Sequence, residues 1–232
     1  MIVMADPVLL ITGASSGIGA ATARHAVAQG YRVALAARSI DKLDALVDEL
    51  GSEAALALEC DVTDKASQQA MVERTLAHFG RIDAVFANAG IGGRPGGFCG
   101  ADSDVWKDMI LTNVYGVGLT IQACAQALKD SRGHLLITGS AAGRTTIPGS
   151  MYSATKWAVS AIGYGVREEL RGTGIRVTLI EPGMVDTPFF DDKPEHALTD
   201  HDIAEAVLFS LSRPASVDVN EILVRPTPKI DS

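Results

Sequence analysis

Tyr152 and Lys156 stand four residues apart in Tyr152-Ser153-Ala154-Thr155-Lys156. On a helix that spacing puts a phenol and an ammonium on one face, about one turn from each other. A free tyrosine titrates near pH ~10 and is a poor base at neutral pH, whereas a neighbouring cation favours the phenolate and brings it towards a working range for proton transfer. Ser140 lies twelve positions before Tyr152 and offers a hydroxyl suited to holding an oxygen on which charge develops. Alone, each of these is ordinary: a Tyr and a Lys one turn apart are common on helices, Ser140 reads as a loop hydroxyl, and Asn113 reads as a helix-surface amide.

A second cluster sits near the start of the chain, in Thr12-Gly13-Ala14-Ser15-Ser16-Gly17-Ile18-Gly19. It joins a short apolar run, Val8 to Thr12, to a helix-length stretch. Gly13 permits a tight turn, Gly17 lets the backbone approach a pyrophosphate, and Gly19 allows the helix to pack closely on the strand. The helix N-terminus adds free N–H donors and the positive end of its dipole. The plain alternative is a connection that merely turns the chain. About 20 residues beyond such a turn a carboxylate commonly receives ribose hydroxyls, but here the second apolar run ends in Ala36-Ala37-Arg38-Ser39. Arg38 offers a fork of N–H donors and Ser39 a hydroxyl, a pair suited to a phosphate; the alternative for Arg38 is a solvated charge at a strand end.

The elements that must position these residues follow from patterning. Apolar runs at Val8 to Thr12, Tyr31 to Ala37, Ala54 to Glu59, Ile82 to Ala87, Gly133 to Thr138, Ile175 to Glu181 and Glu221 to Val224 alternate with helix-length stretches. The latter are Gly17 to Gln29, Asp41 to Leu50, Asp64 to Phe79, Ser103 to Lys129, Ser150 to Arg171 and Thr199 to Leu211. Short, uniformly apolar runs suit strands covered on both faces, so the expectation is a single α/β domain over residues 1–232 with a mostly parallel seven-stranded sheet. Segments 91–100 and 187–199 read as loops near a site. The three cysteines, Cys60, Cys99 and Cys124, are widely spaced and suggest neither a disulfide framework nor a metal site. A net charge of -8 disfavours nucleic acid as a partner, and the sequence carries neither a membrane-length apolar run nor a signal-peptide layout at its start, so a cytoplasmic protein is expected.

The spacing Gly-x-x-x-Gly-x-Gly, with Asn88-Ala89-Gly90, Asn113, Ser140, the Tyr152 to Lys156 pentapeptide and Pro182-Gly183 in this order, resembles the short-chain dehydrogenase/reductase family over nearly the whole chain. The resemblance implies a Rossmann-type doubly wound fold and a catalytic set of Asn113, Ser140, Tyr152 and Lys156. It implies that Tyr152 exchanges a proton with a carbonyl or alcohol oxygen held by Ser140. Lys156 binds the nicotinamide ribose and, together with the oxidised nicotinamide, favours the phenolate. Asn113 bends its helix and holds a water leading from Lys156 to solvent. Cofactor residues implied are Gly13, Ser15, Ser16, Gly17, Ile18, Gly19, Arg38, Ser39, Asp61, Val62, Asn88, Ala89, Gly90, Tyr152, Lys156, Pro182, Gly183, Val185 and Thr187. Asp61 and Val62 resemble the pair that reads the adenine, though Asp61 also suits a helix cap. Pro182, Gly183, Val185 and Thr187 resemble the segment that holds the nicotinamide carboxamide.

Three departures stand out. Ala37 replaces the aspartate of NAD-using members, which together with Arg38 points to NADP(H), although Ser16 stands where some NADP users carry a basic residue. Ala87 replaces the family's usual first asparagine. Twelve positions separate Ser140 from Tyr152 where thirteen are more usual, so a shorter connecting loop is expected.

The expected activity is interconversion of a small carbonyl compound and its primary or secondary alcohol without a metal. The alternatives are a non-catalytic dinucleotide-binding redox sensor, or a dehydratase or epimerase on the same fold. The tail Asn220 to Thr227 resembles the branch containing NADP-dependent 3-hydroxy acid, serine-type and related alcohol dehydrogenases. Ile91, Ala141, Ala142, Ile147, Pro148, Met184, Phe189 and Phe190 are expected in the pocket walls. Arg94 and Arg144 lie on the same loops and suit either a substrate carboxylate or solvent. A homodimer or homotetramer is expected through the helices holding Asn113 and Tyr152, with Leu119, Ile162 and Tyr164 facing outward.

Overall fold

Every apolar run becomes a strand in the computed structural model, which describes residues 6–93, 96–190 and 194–228. The chain alternates β1 (Val8–Thr12), α1 (Gly17–Ala28), β2 (Arg32–Ala37), α2 (Ile40–Leu50), β3 (Ala55–Glu59), α3 (Lys65–Phe79) and β4 (Ala84–Ala87). It continues through α4 (Gly97–Gly100), α5 (Ser103–Ile110), α6 (Gly116–Ser131), β5 (His134–Thr138), α7 (Met151–Glu169) and β6 (Arg176–Pro182). The last elements are β7 (Val185–Asp186), β8 (Leu198–Thr199), α8 (Asp200–Leu211) and β9 (Glu221–Val224).

Seven strands pair in parallel in the order β3-β2-β1-β4-β5-β6-β9. Because α1 and α2 carry the chain one way from β1 and α3 carries it back past β1 to β4, the helices cover both faces. Leu9, Ile11, Leu35 and Phe86 pack with Ala23 of α1, Leu43 of α2 and Ile203 of α8 on one face. On the other, Leu10, Val85, Leu135 and Val177 pack with Met71 of α3, Cys124 of α6 and Val159 of α7. This two-faced burial explains the absence of alternation in the strands. The strand order reverses between β1 and β4, so a crevice opens beyond their carboxyl ends.

Four local features depart from the sequence expectation. The stretch expected as one helix from Ser103 runs on unbroken to Ser131, but α5 and α6 are joined within it by a π turn over Leu111–Tyr115 that contains Asn113. The loop at 91–100 holds the short α4, and β7 pairs with β8 in a small second sheet. Leu119, expected to face outward, is buried within the chain at the α3–α6 side, whereas Tyr164 is exposed and Ile162 is half-buried against the core. The cap of α3 is Asp64, whose carboxylate accepts from Ser67 N at 2.7 Å, and not Asp61, which accepts from Thr63 N and Oγ1 at 2.9 and 2.8 Å.

Candidate active site

A cleft of about 1110 Å³ runs along the carboxyl ends of the strands and brings both sequence clusters together. Its first half is built from the turn after β1. Gly13 and Gly17 adopt φ of +66° and +51°, values that glycine takes without strain. At Gly19 a Cβ would lie 2.3 Å from Gly13 O, and at Gly13 it would lie 2.8 Å from Ala89 Cα. The turn therefore fits together only with glycines at these points. Ser16 begins α1 without a side-chain cap, leaving the first N–H groups of the helix for a ligand; Ser15, Ser16, Gly17 and Ile18 all line the cleft.

Asn88 secures this half. Its backbone N–H donates to Thr12 Oγ1 at 3.0 Å, its side-chain amide donates to Thr12 O at 3.1 Å, and Thr138 Oγ1 donates to its carbonyl at 3.1 Å. Asn88 thus ties the ends of β1, β4 and β5 together. Ala89 and Gly90 follow it along the floor, while Arg38 and Ser39 stand exposed at the mouth with Asp61 and Val62 opposite. The Arg38 charge is among the influences that hold the Asp61 carboxyl below its usual range, the largest being the Thr63 N–H. Pro182, Gly183, Val185 and Thr187 form the facing wall, with Thr187 so close that a Cβ on Gly17 would lie 3.1 Å from it.

The second half holds Ser140, Tyr152 and Lys156. Tyr152 and Lys156 rise from the first turns of α7, which Ser150 caps by accepting from Ser153 N at 3.0 Å. Ser140 ends the segment after β5 and caps a 3-10 turn, Ala141–Gly143, by accepting from Ala142 N at 3.1 Å. Gly143 packs that turn onto α7, for a Cβ there would lie 2.7 Å from Lys156 O. Despite the shorter connection, Ser140 lines the cleft together with Tyr152, and its hydroxyl donates to Pro182 O at 3.4 Å.

Two expectations are corrected. Burial pushes the Tyr152 phenol above its usual value, and the neighbouring Ser140 hydroxyl pulls it only part of the way back. Lys156 does not lower it, because its Nζ donates to Thr138 O at 2.8 Å and lies over the ring, 5.7 Å from the centroid, not at the hydroxyl. Burial in turn brings the Lys156 ammonium down to about 8. Arg144, expected at a substrate carboxylate or in solvent, does neither. Its guanidinium makes a two-pronged contact with Glu181, at 2.9 and 2.5 Å, and a second ion pair with Glu221. The Glu181 side chain is fully buried. No sequence signal marked Glu181 as a partner, since the three residues are far apart in the chain. Arg94 lies outside the described residues.

Asn113 is fully buried in the π turn. Its carbonyl accepts from Ile91 N at 2.8 Å, and its amide donates to Ile91 O at 2.9 Å and to Thr155 Oγ1 at 3.2 Å. The widened turn lets an amide reach the loop after β4 without breaking the helix. Among the described residues no cluster of metal-ligating side chains occurs, and no helix is long and apolar enough to cross a membrane. Cys60 and Cys124 are buried and Cys99 is exposed, all as free thiols.

The family model described as short chain dehydrogenase matches residues 7–197. An uncharacterized oxidoreductase from Staphylococcus saprophyticus is 38% identical over 234 residues, covering 97% of this chain and all of the relative. Among solved structures, an alcohol dehydrogenase from the archaeon Thermococcus sibiricus, complexed with 5-hydroxy-NADP, superposes with a TM-score of 0.90 at 34% identity, covering 97% of this chain and 99% of that one. A serine dehydrogenase from Escherichia coli gives 0.86 at 32% identity, covering 94% and 96%. With the glycine turn, the strand order and the Ser140, Tyr152 and Lys156 cluster already in one cleft, these matches mean that the chain belongs to the short-chain dehydrogenase/reductase family.

Proposed function

We propose that the protein is an NADP(H)-dependent oxidoreductase that interconverts a carbonyl compound and its alcohol. The observation that carries this reading is the gathering of Ser140, Tyr152 and a buried Lys156 at one end of a cleft whose other end is a glycine cradle with an uncapped helix N-terminus. A nicotinamide dinucleotide fits that cradle: the positive-φ glycines admit a pyrophosphate, and the free N–H groups match its charge. When bound, it supplies or receives the hydride.

The chain's own residues do the rest. Ser140 holds the carbonyl oxygen and stabilises the charge that grows on it. Tyr152, kept protonated at neutral pH by burial, donates its proton to that oxygen as the carbon is reduced. Lys156, its ammonium anchored to Thr138 O, would hold the nicotinamide ribose. Asn113 fixes Ile91 at the edge of the site and shapes the route by which water reaches Lys156. Arg38 and Ser39 would receive the 2′-phosphate, with no carboxylate at Ala37 to repel it. Asp61 and Val62 would flank the adenine, and Pro182, Gly183, Val185 and Thr187 would hold the carboxamide end. The exposed rings of Trp157 and Tyr164 on α7 support assembly through that helix as a homodimer or homotetramer, and the three free thiols support a cytoplasmic setting.

The test is oxidation of NADPH with a panel of ketones and aldehydes, NADH in parallel and Tyr152→Phe as control. Turnover that prefers NADPH and falls at least ~10³-fold in the variant is expected; wild-type turnover in Tyr152→Phe removes the mechanism.

A further inference from the structure

Beyond the catalytic hydroxyls the cleft changes character. The sequence has two Trp, four Tyr and six Phe, and of these twelve, Trp106, Tyr152, Phe189 and Phe190 line this one cleft, with Phe98 packed edge-on against Trp106 at 5.9 Å. Phe189 meets the Tyr152 ring edge-to-face at 5.5 Å and Phe190 at 5.2 Å, so the aromatic wall begins at the proton donor itself. Met109, Met151 and Met184 continue the wall beside Ile91, Ile147 and Pro148, and unbranched thioethers adapt to irregular apolar shapes and favour contact with rings. Gly92 and Gly93 make room for this wall: a Cβ would come within 3.0 Å of the Phe189 ring at the first and 3.1 Å of Met109 Cε at the second.

Much of this surface lies open. Met184 is 48% exposed and Phe189 38%. Such an apolar surface, next to a buried acid–base group, is satisfied by an apolar ligand.

Charge gives the complementary argument. Among the described residues lining the Tyr152 end, the only charged side chain is Lys156, whose ammonium is held behind the tyrosine ring by Thr138 O. Arg144, the basic residue nearest Ser140 in the chain, is turned away and saturated by Glu181 and Glu221. A carboxylate bound beside the reacting carbonyl would lose its hydration and gain no free cation from the described residues there.

We propose, resting on the hydride-transfer reading above, that the substrate is an uncharged ketone carrying an aromatic ring or bulky alkyl chain beside the carbonyl, and that carbonyl compounds bearing a carboxylate are rejected.

Acetophenone and benzoylformate differ only in a methyl against a carboxylate next to the carbonyl and form the test pair. In NADPH oxidation by the wild-type enzyme, kcat/KM for acetophenone is expected to exceed that for benzoylformate by about 100-fold or more, the scale for leaving a charge unpaired in an apolar site. Binding of each compound to Tyr152→Phe enzyme, measured by calorimetry with and without NADPH, reads the pocket independently of turnover. Equal or better binding or turnover of benzoylformate overturns the proposal, as does failure to bind acetophenone in the presence and absence of NADPH. Selective binding of acetophenone with no turnover of either compound leaves the pocket assignment standing and removes the hydride-transfer reading.

Discussion

The two halves of the cleft are built on opposite principles. Around the β1 turn, recognition is carried by backbone: glycines at positive φ, uncapped N–H groups, and an asparagine whose polar atoms bond to neighbouring strands. Around Phe189 and Met184, recognition is carried by side chains on loops, with apolar surface left open. The first half admits almost no change, because its glycines press against backbone and against side chains held in place. The second tolerates change, because the ends of flexible side chains move. A fold that keeps one ligand constant and varies the other is organised in this way, with the fixed ligand at the helix N-terminus and the variable one under the loops.

Substituting glycine in each half tests the contrast most directly. Gly19→Ala sets a methyl 2.3 Å from Gly13 O and 2.9 Å from the Asn88 amide, both held in place. NADPH affinity measured by fluorescence titration is expected to fall at least ~100-fold, with a lower unfolding temperature, as for a severe overpacking strain. Unchanged affinity would mean that the turn is not the phosphate site. Arg144→Ala leaves Glu181 buried with Ser160 as its remaining side-chain partner at 3.3 Å. The expected cost in urea unfolding is about 3 kcal/mol, the low end for breaking a buried pair, since the guanidinium is 32% exposed. Adding Glu181→Gln should restore part of it, and a double variant no better than the single removes the charge argument.

Arg38→Asp probes the mouth of the first half. Removing a charge-assisted contact worth about 1.5–3 kcal/mol should lower the preference for NADPH over NADH by about 10- to 100-fold, read as the ratio of kcat/KM values. A ratio that stays put returns Arg38 to solvent. The smallest effect belongs to the second half. Gly92→Ala brings a methyl to 3.0 Å from Phe189 Cε1, the far end of an exposed ring. A change in ketone KM of roughly 2- to 5-fold is expected with NADPH affinity unaltered, matching an overpacking cost below about 1 kcal/mol where the neighbour can yield. A loss as large as at Gly19 would erase the distinction between the halves.

The same division governs how much of the molecule is legible in its sequence. The strands are plain because burial on both faces leaves uninterrupted apolar runs such as Val8-Leu9-Leu10-Ile11, and the glycine turn is plain because geometry restricts the residue type. The proximity of Ser140, Tyr152 and Lys156 is expected from helix spacing and family order, and the structure brings them together. What escapes is set by tertiary contact. The π turn at Asn113 follows from a hydrogen-bonded pairing with Ile91, 22 residues away, which no local preference announces. The fate of Arg144 depends on two acids on other strands, and the burial of Leu119 depends on α3 lying over it. The β7–β8 pair is two residues long on each side and lies below what patterning resolves.

The Arg144 ion pair with Glu221 also has a temporal meaning. Glu221 sits on β9, so the loop between Ser140 and Tyr152 is tied down by a strand that follows every catalytic candidate in the chain. A ribosome adds on the order of 5–20 residues per second, and domains fold largely as units as they emerge. On that schedule the nascent chain exposes its glycine turn and its tyrosine well before β9 arrives to anchor the loop. Competence for chemistry therefore comes late in synthesis, when the sheet gains its outermost strand.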